Sequence, residues 1–190
     1  MKVYHIASLV LVSVMTQAQI AFADCSATVS KKWNVGRSLP YSVDASSLGP
    51  DCKRAVALMV VRDGKGDVKY SLSMATKDNA VFGNLADASV ADIKSMRVAL
   101  GDWLDAGLSS KKNKLSKFLE WKAGTEGPSE NPPAEFPFTV NSEVSRDTYE
   151  EWRKQNVPVF CFVQGMESMR CVVLTKDGNI SEVGIQSFPG

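Results

Sequence analysis

Histidine is nearly missing from this chain: His5 is the one histidine among 190 residues. It lies in an N-terminal stretch that reads as a removable leader, so the mature chain is expected to carry none. That excludes Ser-His-Asp and Cys-His catalysis, a histidine general base and histidine-ligated zinc. No Cys-x-x-Cys pair is present, which argues against a thioredoxin-like redox role. Charge of either sign is not in excess. Loss of residues 1–23 removes Lys2 and no acid, so the 22 basic side chains become 21, equal to the 21 acidic ones. Nucleic-acid binding would want a strong positive balance, and nothing suggests it. No apolar run after residue 23 approaches the roughly 20 residues that a membrane-spanning helix needs.

The leader has a basic start at Lys2, an apolar stretch over residues 6–15 and a small-x-small site at Ala21-Phe-Ala23. These features predict a signal peptide over residues 1–23 and a single exported domain over residues 24–190. All four cysteines, Cys25, Cys52, Cys161 and Cys171, lie beyond the cleavage site. An even count in an exported chain implies two disulfides, with three connectivities possible. Proximity in the chain favours Cys25–Cys52 and Cys161–Cys171.

The most legible stretch is the last one. Residues 157–164, 170–175 and 180–186 read as three strands, rich in β-branched and aromatic residues. Asp177-Gly178 between two of them is a hairpin signal. A register with Cys161 opposite Cys171 and a two-residue turn sets Val172 opposite Val183 and Leu174 opposite Ser181. One face then carries Phe160, Phe162, Val172, Leu174, Val183 and Ile185 and is expected to take the helices. The other carries Val159, Cys161, Val163, Cys171, Val173, Ile180 and Glu182.

Upstream, residues 29–35 and 39–43 are expected as short edge strands. Residues 54–61 and 68–74 form a second hairpin across Asp63-Gly-Lys-Gly-Asp67. Val90, Ile93, Met96, Leu100, Trp103 and Leu104 recur at helical spacing between Ser89 and Gly107, with Asp92 placed as the acid of a capping box. A second helix is expected over residues 111–122, a proline-rich loop over 124–137, a strand over 138–141, and a third helix over 146–156 capped by Ser145. The expected fold is α+β: an antiparallel sheet built from β-hairpins, about three helices packed on one face, and two disulfides.

The motifs point to no chemistry. Asp177-Gly-Asn-Ile-Ser181 begins like a calcium loop, but Glu182 stands where glycine is required. Asp63-Gly-Lys-Gly-Asp67 lacks phosphate-loop spacing. No metal or cofactor site is expected. Asp102 with Asp105, or Glu150 with Glu151, could supply a carboxylate pair to a histidine-free hydrolase. Lys111, Lys112, Lys114, Lys117 and Lys122 would give the second helix a basic face suited to anionic lipid or an acidic partner. Trp121, Tyr149 and Trp152 are the aromatics best placed to anchor a ligand, while Trp103 reads as core. The expectation is a non-catalytic exported protein, in the periplasm or secreted, that binds a protein or cell-envelope component as an inhibitor or accessory factor. The alternatives are the Asp/Glu hydrolase and a purely structural envelope protein.

Overall fold

The computed structural model describes residues 25–36, 40–83, 90–108, 113–128 and 137–188. The expected signal peptide, the Ser89 cap, Lys111, Lys112 and part of the proline-rich loop fall outside the described residues.

The architecture is α+β, with two antiparallel sheets where one was expected. The first sheet is a meander of β1 (Ala27–Trp33), β2 (Tyr41–Leu48), β3 (Val56–Arg62) and β4 (Val68–Ala75), paired in chain order. The second holds β5 (Phe138–Val140), β6 (Val159–Val163), β7 (Ser168–Leu174) and β8 (Ile180–Ser187), in the order β5-β8-β7-β6. Among the described residues there are two α-helices where about three were expected: α1 (Ile93–Leu108) lies between the two sheets in the chain, and α2 (Arg146–Lys154) connects β5 to β6. β2 is not an edge strand. It runs on to Leu48 and pairs with β1 on one side and β3 on the other.

The alternation of side chains explains the first sheet. Tyr41, Val43 and Ala45 of β2 and Ala57, Met59 and Val61 of β3 point inward and are buried. They meet α1 and the Phe160, Phe162, Val172 and Leu174 face of the second sheet in one apolar core. Trp33 lies 5.7 Å from Phe160 between ring centroids, and Tyr70 lies 6.2 Å from Phe162. α1 packs on β1, β2 and β6 together. It begins one turn later than Ser89 would set it. Asp92 itself is the cap: its Oδ1 accepts from the Ser95 amide at 2.7 Å, and its own amide donates to Ser95 Oγ at 3.0 Å.

The second sheet is apolar on both faces, so the helices do not share one. α2 lies on the cysteine face, where Tyr149 joins Val159, Cys161, Cys171, Val173 and Val183 in a second core. Ser145 caps α2 by accepting from the Thr148 amide at 3.1 Å. Asn156, with φ of 53°, turns the chain out of it. The disulfides are Cys25–Cys52 and Cys161–Cys171.

Two further expectations are corrected. The turn after β7 has three residues, with Gly178 at φ 88° and the Thr175 amide donating to Asn179 O at 2.9 Å. Leu174 therefore faces Ile180, and Val172 faces Glu182. A bulge at Val183 then restores the alternation, so Ile180 and Glu182 join the phenylalanine face and Val183 the cysteine face. The second correction concerns the helix expected over 111–122. Its described part holds a single 3-10 turn, Leu115–Lys117. The open edge of β6 captures this segment instead: Lys114 bridges to Pro158, the Leu115 amide donates to Val157 O at 3.0 Å, and the Val159 amide donates to Asn113 O at 3.0 Å.

Candidate functional site

The aromatic residues singled out from sequence do come together. From Phe118 onward the chain crosses α2 as a strap. The Trp121 amide donates to Glu150 Oε1 at 2.6 Å, its indole N–H donates to Thr125 O at 2.9 Å, and its carbonyl accepts from Arg146 Nε at 3.0 Å. The Trp121 ring meets Tyr149 edge-on, with centroids 6.1 Å apart. Tyr149 is fully buried, and its hydroxyl donates to Leu119 O at 2.8 Å. Burial pushes its ionisation upward. Tyr149 therefore braces the strap from within the second core. Trp152 is half-buried against the same core. The polar groups of Trp121 are all used within the fold, so this cluster reads as a clamp on the strap more than as an open surface.

The carboxylate pairs are dispersed. Glu150 is tied to Arg153 at 2.7 Å as well as to the Trp121 amide, and Glu151 accepts from Gln155 at 2.7 Å. Asp105 is paired with Lys31 of β1, and Asp102 lines a separate recess with Val90 and Val98. Of the expected basic helix, the described part holds only a 3-10 turn, so Lys114, Lys117 and Lys122 do not line up on one helical face; Lys117 and Lys122 are exposed. Asp177 turns inward on its own loop, accepting from Thr175 Oγ1 at 2.5 Å and from Asn179 Nδ2. The Thr175 bond holds its carboxyl below the usual range. Among the described residues no group of three or more His, Cys, Asp or Glu side chains could hold a metal ion, and no helix is long and apolar enough to cross a membrane.

The structure adds two features. The first is a polar junction between the sheets. Tyr70 donates to Glu182 Oε1 at 3.0 Å, Arg170 donates to the same oxygen at 2.6 Å, and Arg170 Nε donates to Gln164 at 2.5 Å. Burial, reinforced by the Glu182 carboxylate, pushes Tyr70 up to about 12. A two-residue turn would have sent Glu182 to the opposite face, so this junction was hidden from sequence.

The second is the outer face of the first sheet. The register stacks its outward side chains in rows across the four strands: Thr28, Ser46, Leu58 and Ser73 form one, and Ser30, Asp44, Val60 and Ser71 the next. At one end the charges are satisfied internally. Ser30 donates to Asp44 at 2.6 Å, and Arg62 reaches Asp44 at 3.3 Å. At the other end Leu48, Val56 and Leu58 stand bare, 65%, 46% and 38% exposed. They line a shallow recess of about 560 Å³ together with Thr28, Ser46 and Ser73. Periodicity alone could not find this face, because Val56, Leu58 and Val60 read as part of a strand apolar on both sides.

No protein-family model matches the chain, and neither does a curated protein or a solved structure.

Proposed function

We propose that this is an exported, non-catalytic binding protein that engages a protein partner through the outer face of its first sheet. One observation carries the reading: Leu48, Val56 and Leu58 are contiguous and exposed on the outer face, and the charges nearest that end, Asp51 with Arg54 and Lys77 with Asp78, are paired with each other. Apolar side chains left bare in a patch mark interaction surfaces more often than singly scattered ones do. The small hydroxyls around them permit close approach and offer hydrogen bonds at the rim, the anatomy of a non-obligate interface. The patch carries no aromatic side chain on which a sugar ring could stack, and this favours a protein over an envelope glycan. Two disulfides suit an oxidising compartment, and with the leader expected over residues 1–23 they support a periplasmic or secreted setting.

The test is a pull-down with the oxidised chain immobilised and exposed to envelope extract. A partner retained by the native chain and by Trp152→Ala, but lost on Leu58→Lys or Val56→Lys, supports the reading. A partner lost on Trp152→Ala or Trp121→Ala and kept by Leu58→Lys would move the surface to the strap. Glycan or peptide hydrolysis abolished by Asp102→Asn or Glu150→Gln would replace binding with the hydrolase.

A further inference from the structure

β4 is an edge strand, and beyond a bulge at Lys69 its outer side carries none of the usual edge defences. It pairs only with β3, and among the described residues no backbone group bonds to its far side. Natural edges are blunted by charge, proline, bulges or short length. The other edges of this protein follow that rule. β5 is 3 residues long. β6 is met by Asn113 and Leu115. β1 carries Lys31 and Lys32, with Lys31 tied to Asp105 of α1. β4 is 8 residues long and has no proline; its one bulge and its one charge coincide at Lys69, near its start, where the side chain is turned back to Asp63 at 3.2 Å, and Tyr70 to Ala75 pair regularly with β3.

The sequence of this edge is close to a palindrome in chemical type. Tyr70-Ser71-Leu72-Ser73-Met74 reads large apolar, serine, leucine, serine, large apolar from either end. An antiparallel strand turned about a two-fold axis at Leu72 would set Leu72 against its own copy, Tyr70 against Met74, Ser71 against Ser73, and Lys69 against Ala75. No like charges meet. Tyr70, Leu72 and Met74 point to the inner face and are only partly buried, forming the open margin of the first core. A second copy of the strand would close that margin with the side chains best matched to it.

We propose that the chain pairs with a second copy of itself through β4, antiparallel and two-fold symmetric, joining two four-stranded sheets into one continuous sheet. The occupant is a second copy, not an unrelated extended peptide, because the strand is complementary to itself. An isologous contact of this kind closes on a dimer. The pairing spans roughly 24 Å by 10 Å, about 240 Å² per partner. That is well short of the ~800 Å² per partner of a standard interface, so the dimer is weak and concentration-dependent. It leaves the outer face uncovered and places two copies of it side by side. The inference stands apart from the binding reading and does not rest on it.

Sedimentation of the oxidised chain from low micromolar to millimolar concentration tests it. The expected result is a reversible rise from monomer toward dimer. Ser71→Lys with Ser73→Lys sets lysines opposite lysines across the proposed seam. Both sites are exposed, so this variant should melt like the native chain yet stay monomeric. Mixing it with the Ser71→Glu, Ser73→Glu variant should restore a dimer, now of one copy of each. Leu58→Lys should dimerise like the native chain. A chain that stays monomeric throughout overturns the proposal. So does a dimer that survives both lysines unchanged, or one lost on Leu58→Lys, since either places the contact elsewhere.

Discussion

Tyr70 of β4 and Glu182 of β8 meet across the two sheets, the phenol donating to the carboxylate at 3.0 Å while Arg170 holds the same oxygen from the other side. Tyr70→Phe removes the one donor the first sheet supplies to this junction. The expected loss is about 1.5–3 kcal/mol, the usual range for a hydrogen bond to a charged group. A fall in melting temperature at neutral pH measures it.

The same residue gives the protein an alkaline limit. Burial and the Glu182 carboxylate raise Tyr70 to about 12 in the folded chain, against ~10 for an unfolded tyrosine. The unfolded state thus releases its proton first. The contribution is complete below pH ~10 and is lost as pH rises toward ~12. Buried Tyr149 shifts in the same direction. The melting temperature should fall steeply over that window, and the fall should be shallower in Tyr70→Phe. Equal slopes in the two proteins would contradict the assignment.

Two glycines of α1 should respond oppositely to alanine. A Cβ at Gly107 would lie 2.3 Å from Cys161 O and 2.4 Å from the Phe160 ring, so α1 would be forced off β6. Gly107→Ala should cost about 1–3 kcal/mol or more through overpacking. Nothing lies within 4 Å of a Cβ at Gly101. Gly101→Ala should therefore stabilise by about 0.5–1 kcal/mol, because alanine loses less freedom in a helix. Urea titrations of the two variants would show midpoints displaced to opposite sides of the native one.

The disulfides should differ in weight. Cys25–Cys52 spans 27 residues and Cys161–Cys171 spans 10. Loop-closure entropy in the unfolded chain assigns about 3.5 kcal/mol to the first and about 2.7 kcal/mol to the second. Paired alanine replacements, Cys25→Ala with Cys52→Ala against Cys161→Ala with Cys171→Ala, read the difference as two denaturant midpoints. The reverse order would show that packing around the cysteines outweighs chain entropy.

Glu150 pins the strap by taking the Trp121 amide and Arg153 at once. Glu150→Ala should cost about 2–3 kcal/mol, since it leaves a part-buried guanidinium and an amide without their acceptor. Amide exchange at Trp121 should quicken in that variant and recover in part in Glu150→Gln, whose carbonyl oxygen can still accept the amide.

The legible parts of the fold were those fixed by short-range pattern. Proximity in the chain suggested Cys161 opposite Cys171, the register that β6 and β7 adopt, and the 3.6-residue recurrence from Val90 to Leu104 marked α1. What stayed hidden depended on one residue of turn length or on a partner distant in the chain. Asp177-Gly178 fits a two-residue turn as well as the three-residue turn it adopts, and the choice moved Ile180, Glu182 and Val183 between faces. Leu115 and Phe118 fit a helix equally well; the bonds to Val157 and Val159 that hold that segment open come from the edge of β6. The candidate face on the first sheet could be read only after Leu48, Val56 and Leu58 were known to lie on its solvent side.

The most direct measurement is a photo-crosslink from the outer face. A benzophenone side chain replacing Leu58, in the oxidised chain mixed with envelope extract, should capture a discrete protein partner, while the same group at Trp152 should not. Capture from position 152 with none from position 58 would contradict the account and return the binding surface to the strap over α2.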